Sequence, residues 1–190
     1  MPARSRRTQA DRTATTKAAL ADAAVELLIE KGWAAVTAIE VCNRVGVSRG
    51  AFHHHYVSLP ALMADSLRRL YADMVHVEGR EPSDLVGLVE FTWQAVGNPR
   101  FKAVLEAWLA MANDPSLRAE IGPVVLDFAG LVRPESIASI LTNAERRNFF
   151  ITARETMLGL ALGRATSGGK PLGHEKRVLT RIRSEAARLS

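Results

Sequence analysis

Three consecutive histidines, His53, His54 and His55, are the first residues whose type invites chemistry. Imidazoles on a helix share a metal ion when they are spaced by three or four. Neighbours point about 100° apart and cannot converge on one ion. No metal and no cofactor is therefore expected at the triplet. The acids Glu90, Glu106, Asp127 and Glu155 are scattered and read as solvated helix faces. The chain holds no G-x-S-x-G elbow, no H-E-x-x-H helix, no phosphate-binding glycine loop and no zinc-type spacing of Cys and His. No catalytic residue is assigned, and an enzyme is not expected. What remains is recognition. Arg49, Gly50, Ala51, His53 and His54 form a short run of small and hydrogen-bonding side chains, the kind that a helix can carry into a DNA major groove.

That run needs a scaffold, and residues 37–56 supply one. Thr37 is a candidate N-cap, and Val41 and Val45, four apart, share an inward face. Gly46 stands where a helix ends in a left-handed residue, and Ser48 can cap a second helix beginning at Arg49. Phe52 and Tyr56, again four apart, can anchor that second helix to the core. The pattern is helix, tight turn, helix.

At these residues the chain resembles the tetracycline-repressor (TetR) family of transcription regulators. Members carry T-x-x-x-I-A-x-x-A-G-V-S-x-G-x-L-Y-x-H-F-x-S-K-x-x-L, and here the segment reads T-A-I-E-V-C-N-R-V-G-V-S-R-G-A-F-H-H-H-Y-V-S-L-P-A-L. Upstream, A-A-V-E-L-L-I-E-K-G-W resembles the family's first helix and its closing glycine, so the likeness covers about residues 13–75. It implies DNA contacts from Thr37, Arg44, Ser48, Arg49, Gly50, Ala51, His53, His54 and His55. His54 falls at a variable contact position, His55 near the DNA backbone, and His53 where tyrosine is usual. Cys42, the single cysteine, falls where the family places a small buried alanine and is read as a core thiol. Two departures remove expected DNA contacts: Leu59 replaces a lysine, and Ile39 stands where a polar or basic residue is common. The resemblance further implies a homodimer on a palindromic or near-palindromic operator, and a small-molecule effector.

The global properties fit this picture. The 190 residues are 47% hydrophobic with net charge +5. The basic excess sits at the ends: Arg4, Arg6, Arg7, Arg12 and Lys17 face Asp11 alone in the first 17 residues, whereas residues 61–163 hold more acids than bases. Residues 1–12 read as a basic tail whose arginines could reach phosphates. The N-terminus carries no secretory signal and no stretch is long and apolar enough to span a bilayer, so a cytoplasmic location is expected.

The rest of the chain is helical in period, and the fold class is all-α. A first helix is expected from Thr13 or Thr16 to Lys31, and a connector from Ser58 to about Val77. Further helices are expected over residues 84–97 and 100–113, and a segment from Pro115 to Val132 is broken or kinked at Gly122-Pro123 and Gly130. A long helix from about Asn143 to Ala165 and a final helix carrying Leu179, Ile182, Ala186 and Leu189 complete the set. The expected division is a helix-turn-helix domain over residues 13–57 and an effector-binding and dimerisation domain over residues 58–190. Trp93, Trp108, Met111, Phe128 and Met157 have the spacing of core and are candidates to line an apolar effector site, with Arg154 or Glu155 as polar handles. Ala153, Gly159, Ala161, Gly163 and Ala165, with Leu179, Ile182 and Ala186, are candidates for a dimer interface, paired by resemblance as a four-helix bundle. A ligand-independent architectural DNA-binding protein is the alternative; it leaves the length of residues 58–190 without a use.

Overall fold

The structure, a computed structural model, describes the backbone of residues 9–75, 81–129 and 134–190, and their side chains except at 9–12, 75, 126–129 and 134–136. The described residues are all-α: α1 (Gln9–Lys31), a 3-10 turn (Trp33–Ala35), α2 (Ala38–Val45), α3 (Arg49–His55), α4 (Leu59–Val75), α5 (Leu85–Val96), α6 (Phe101–Asn113), α7 (Pro115–Ala129), α8 (Pro134–Ile140), α9 (Ala144–Thr166) and α10 (Glu175–Leu189). Among them no helix is long and apolar enough to cross a membrane.

The chain divides into two compact units. The first extends to Leu70 and takes in Glu106–Val124; the second comprises Tyr71–Leu105 and Val125–Ser190. Three helices, α4, α6 and α7, pass from one unit into the other within a single element.

In the first unit, Leu20, Ala24, Leu27 and Leu28 form the buried stripe of α1, and Val41, Phe52, Leu62 and Leu67 complete the core around them. The buried Ser66 hydroxyl lies 2.9 Å from Leu62 O within α4 and 3.2 Å from Ala21 O on α1, so the polar group is satisfied where the two helices meet. In the second unit, α5 packs on both α9 and α10, joining Leu85, Leu88 and Val89 to Met157, Leu160, Leu179 and Ile182.

Several expectations need correcting. α7 runs unbroken through Pro123 rather than breaking at Gly122-Pro123. Proline there removes the bond to the carbonyl of Ala119, but both residues are exposed, so water can satisfy that carbonyl. Gly130 lies outside the described residues. α1 begins earlier than Thr13, and neither the 3-10 turn nor the seven-residue α8 was signalled by periodicity. Glu90 and Glu106 are not simply solvated. Glu90 pairs with Arg183 of α10, and Glu106 accepts the backbone N–H of Trp33. Asp127 lies outside the described side chains, and Glu155 is exposed.

Candidate nucleic-acid interface

The turn between α2 and α3 is built from local caps. Thr37 Oγ1 accepts the Glu40 N–H at 3.2 Å and opens α2. Gly46 closes it at φ 74°, and the N–H groups of Gly46 and Val47 both reach Cys42 O, at 2.9 and 3.1 Å. This is the bonding of a left-handed helix end, which glycine adopts without a Cβ penalty. Ser48 Oγ then accepts the Ala51 N–H at 3.1 Å and starts α3. The Cys42 thiol is buried and lies 3.9 Å from Ser48 O, so it sits inside the turn.

α3 is held by its aromatic side. Phe52 is 1% exposed, and an aromatic buried to that degree stabilises the domain by about 3–5 kcal/mol against alanine. Tyr56 fixes the far end: its hydroxyl lies 2.6 Å from Asp65 Oδ2 and 3.2 Å from Lys17 O, while Lys17 Nζ sits 5.4 Å from its ring centroid. Burial first, and then the Asp65 carboxylate, push the Tyr56 hydroxyl well above the usual phenol range, so it stays a neutral donor.

With that side held, Arg49, Gly50, His53 and His54 are exposed, and Ala51 and His55 are half-buried. The His53 ring meets Phe52 edge-on at 5.2 Å, and His54 meets His55 at 5.1 Å. Burial, then the neighbouring His54 and Lys17, hold the His55 imidazole below its ordinary pKa and favour its neutral form. Among the described residues, no group of three or more His, Cys, Asp or Glu side chains is placed to hold a metal ion.

Other candidate residues are placed differently. Arg44 points along the α1 side, with Nη2 2.7 Å from Glu30 and Nη1 3.3 Å from Glu26, so its charge is largely met within the domain. The Thr37 and Ser48 hydroxyls serve as caps. Leu59 is half-buried at the start of α4, Ile39 is 54% exposed on α2, and Val57 is 86% exposed just after α3. Arg4, Arg6 and Arg7 lie outside the described residues.

The candidate effector residues are divided between the two units. Trp108 and Met111 lie half-buried in the first unit, whereas Trp93 and Met157 lie in the second, half-buried and fully buried. The side chain of Phe128 is outside those described. Arg154 and Glu155 are exposed and pair with each other at 2.7 Å. A shallow pocket in the second unit is lined by Gly97, Asn98, Lys102, Ala161 and Arg164 among others, and it holds about 40 Å³, room for a water or two. Trp93 and Met157 are not on its wall.

The candidate interface residues divide by burial. Ala153, Ala161, Leu179, Ile182 and Ala186 are at most 9% exposed within the single chain, so they pack its own core and offer no free surface. Gly163 faces Leu172 of the same chain, and Ala165 lines the pocket. Gly159 is open, with nothing within 4 Å of where its Cβ would stand, and it lies between Ile151 and Leu162, which are 52% and 47% exposed.

Comparison with known proteins bears on these surfaces. The family model described as bacterial regulatory proteins, tetR family, matches residues 20–64, which hold α2, α3 and the start of α4. The HTH-type transcriptional regulator CymR of Pseudomonas putida is 31% identical over 123 residues, spanning 61% of this chain and 61% of that protein. The chain thus spans about three fifths of the length of that curated relative. A solved transcriptional regulator from Rhodococcus sp. Rha1 superposes with a TM-score of 0.67 at 20% identity, over 90% of this chain and 96% of its own. Multidrug binding protein EbrR, complexed with proflavin, superposes with a TM-score of 0.60 at 20% identity, over 92% and 99%. At these identities the solved structures speak to fold alone.

Proposed function

We propose, from the match of residues 20–64 to the model of bacterial regulatory proteins, tetR family, that the chain is a cytoplasmic, sequence-specific DNA-binding regulator of that family, acting as a homodimer on a palindromic or near-palindromic operator. The observation that carries this reading is the exposed outer side of α3. Arg49, Gly50, His53 and His54 are exposed while Phe52 and Tyr56 are buried, on a helix short enough to lie in a major groove. Two symmetry-related copies of that helix call for related half-sites. The arginines of residues 1–12 add phosphate contacts that set affinity rather than sequence.

In this reading the protein is a repressor released by a small apolar or aromatic effector. Support is indirect: EbrR is a multidrug binding protein of similar fold, and α6 runs without interruption from the second unit to Glu106, which holds the turn after α1. A tenfold release needs about 1.4 kcal/mol of differential effector binding between the two arrangements, a contact change of modest size. The copies would meet through the outward side of α9 at Ile151, Gly159 and Leu162, where burying two apolar side chains per copy is favourable.

The experiment is selection of binding sequences from a random duplex library, followed by titration with apolar and aromatic compounds. A symmetric consensus released by one of them supports the full reading. Equal retention of all sequences would instead support the architectural alternative.

A further inference from the structure

Ile39 is the large apolar side chain that the helix-turn-helix leaves facing water on α2, at 54% exposed. Its helix has three occupied directions. Val41 and Cys42 point into the core, and Arg44 points to the α1 side, where it meets Glu26 and Glu30. Ile39 points to the remaining flank. It precedes Gly46 by seven residues, so the two lie within about 20° of each other around the axis. Gly46 is where the chain turns out of α2 toward α3. Ile39 thus stands on the side of α2 that leads into α3, and its neighbours Thr37, Glu40 and Asn43 are polar and exposed.

In the reading proposed above, on which this inference rests, α3 lies in the major groove of the operator, and we take the side of α2 that leads into it to face the same groove. A branched aliphatic side chain can neither bond a phosphate nor read a donor or acceptor on a base edge. The apolar group that a duplex displays in its major groove is the 5-methyl of thymine. We infer that Ile39 is a specificity-determining residue that packs on the 5-methyl of one thymine in each half-site. It recognises a base by the hydrophobic effect where the rest of the surface uses polar groups.

Uracil in place of thymine deletes that methyl and keeps every hydrogen-bonding group. Burial of one such group corresponds to about fourfold in affinity, hence about fifteenfold when both half-sites are changed. The test uses the full-length protein on the consensus duplex from the random library, with each thymine replaced in turn by uracil. The natural protein is expected to lose about fourfold at one thymine per half-site. Ile39→Ala should bind thymine and uracil duplexes equally, and Ile39→Val should keep part of the difference. Circular dichroism should be unchanged, since the residue is exposed.

The inference is overturned if no single replacement weakens the natural protein, or if Ile39→Ala keeps the full thymine preference. A library that returns no preferred sequence instead removes the premise itself, and the inference falls with it.

Discussion

Glu106 accepts the backbone N–H of Trp33 at 2.5 Å across 73 residues of sequence, and the same carboxylate would lie 2.7 Å from a Cβ at Gly32. α1 therefore ends in a slot that only glycine fits: Gly32 has φ 83° and ψ 176°, a backbone region essentially closed to other residues. Glu106 caps the turn that leads from α1 to α2.

Gly32→Ala is expected to destabilise the protein by about 1–3 kcal/mol from backbone strain, with the carboxylate contact adding to it. Glu106→Ala leaves the Trp33 N–H without this acceptor and is expected to cost about 1–3 kcal/mol, whereas Glu106→Gln keeps an oxygen acceptor and should cost less. Urea unfolding of the three variants gives the order, and a Gly32→Ala midpoint equal to that of the natural chain would show that the turn is not held as described.

How much of this was legible in sequence depends on range. Thr37, Gly46 and Ser48 mark the ends of α2 and α3 because caps act within four residues, and Phe52 and Tyr56 mark the inward side by period. The pairings of Glu106 and Glu90 leave no local signal, because their partners, Trp33 and Arg183, lie 73 and 93 residues away. α8, at seven residues, is too short to display a period. The small residues of α9 correctly announce a close helix neighbour. Composition does not say whose helix it is, and Ala153 and Ala161 are covered by their own chain.

That distinction predicts two opposite outcomes for charge insertion. Leu162→Glu places a charge on the outward side of α9 and should yield folded monomers in light scattering, with unchanged helicity. Ile182→Glu places an unpaired charge in the core and should cost more than about 3 kcal/mol, unfolding the chain rather than splitting a dimer. A Leu162→Glu protein that remains dimeric would place the interface elsewhere.

In the second unit, Arg164 grips Glu175 through Nε and Nη2, donates Nη1 to Gly97 O at 2.8 Å and lies 5.0 Å from the Trp93 ring centroid. Glu175 is 6% exposed, so Arg164→Ala strands a buried carboxylate and should cost on the order of 3 kcal/mol at neutral pH. The Arg164 hydrogen bonds, opposed by burial, hold the Glu175 carboxyl below its ordinary pKa. Its contribution to stability is therefore fully present above the ordinary glutamate value of about 4.3 and is lost as pH falls through the lowered value. The gap between the natural chain and Arg164→Ala should narrow in acid. A gap independent of pH between 3 and 7 would deny the pair this role.

The two arginines of the helix-turn-helix should differ as their surroundings do. Arg44, already paired with Glu26 and Glu30, should change operator affinity by less than about threefold when replaced by glutamine. Arg49, exposed at the start of α3, should cost about fivefold or more. Fluorescence anisotropy on one duplex compares them; equal losses would mean that Arg44 leaves its ion pairs to meet DNA.

The central claim is that the outer side of α3 reads sequence, and the most direct measurement is the ratio of affinities for the selected operator and a scrambled duplex of equal length. It is taken for the natural protein, Arg49→Ala and His54→Ala across a range of salt. The account predicts that each variant loses about 5- to 150-fold on the operator and much less on the scrambled duplex, so the ratio falls. Losses equal on both duplexes, or a natural protein that binds both equally at every salt, would contradict it.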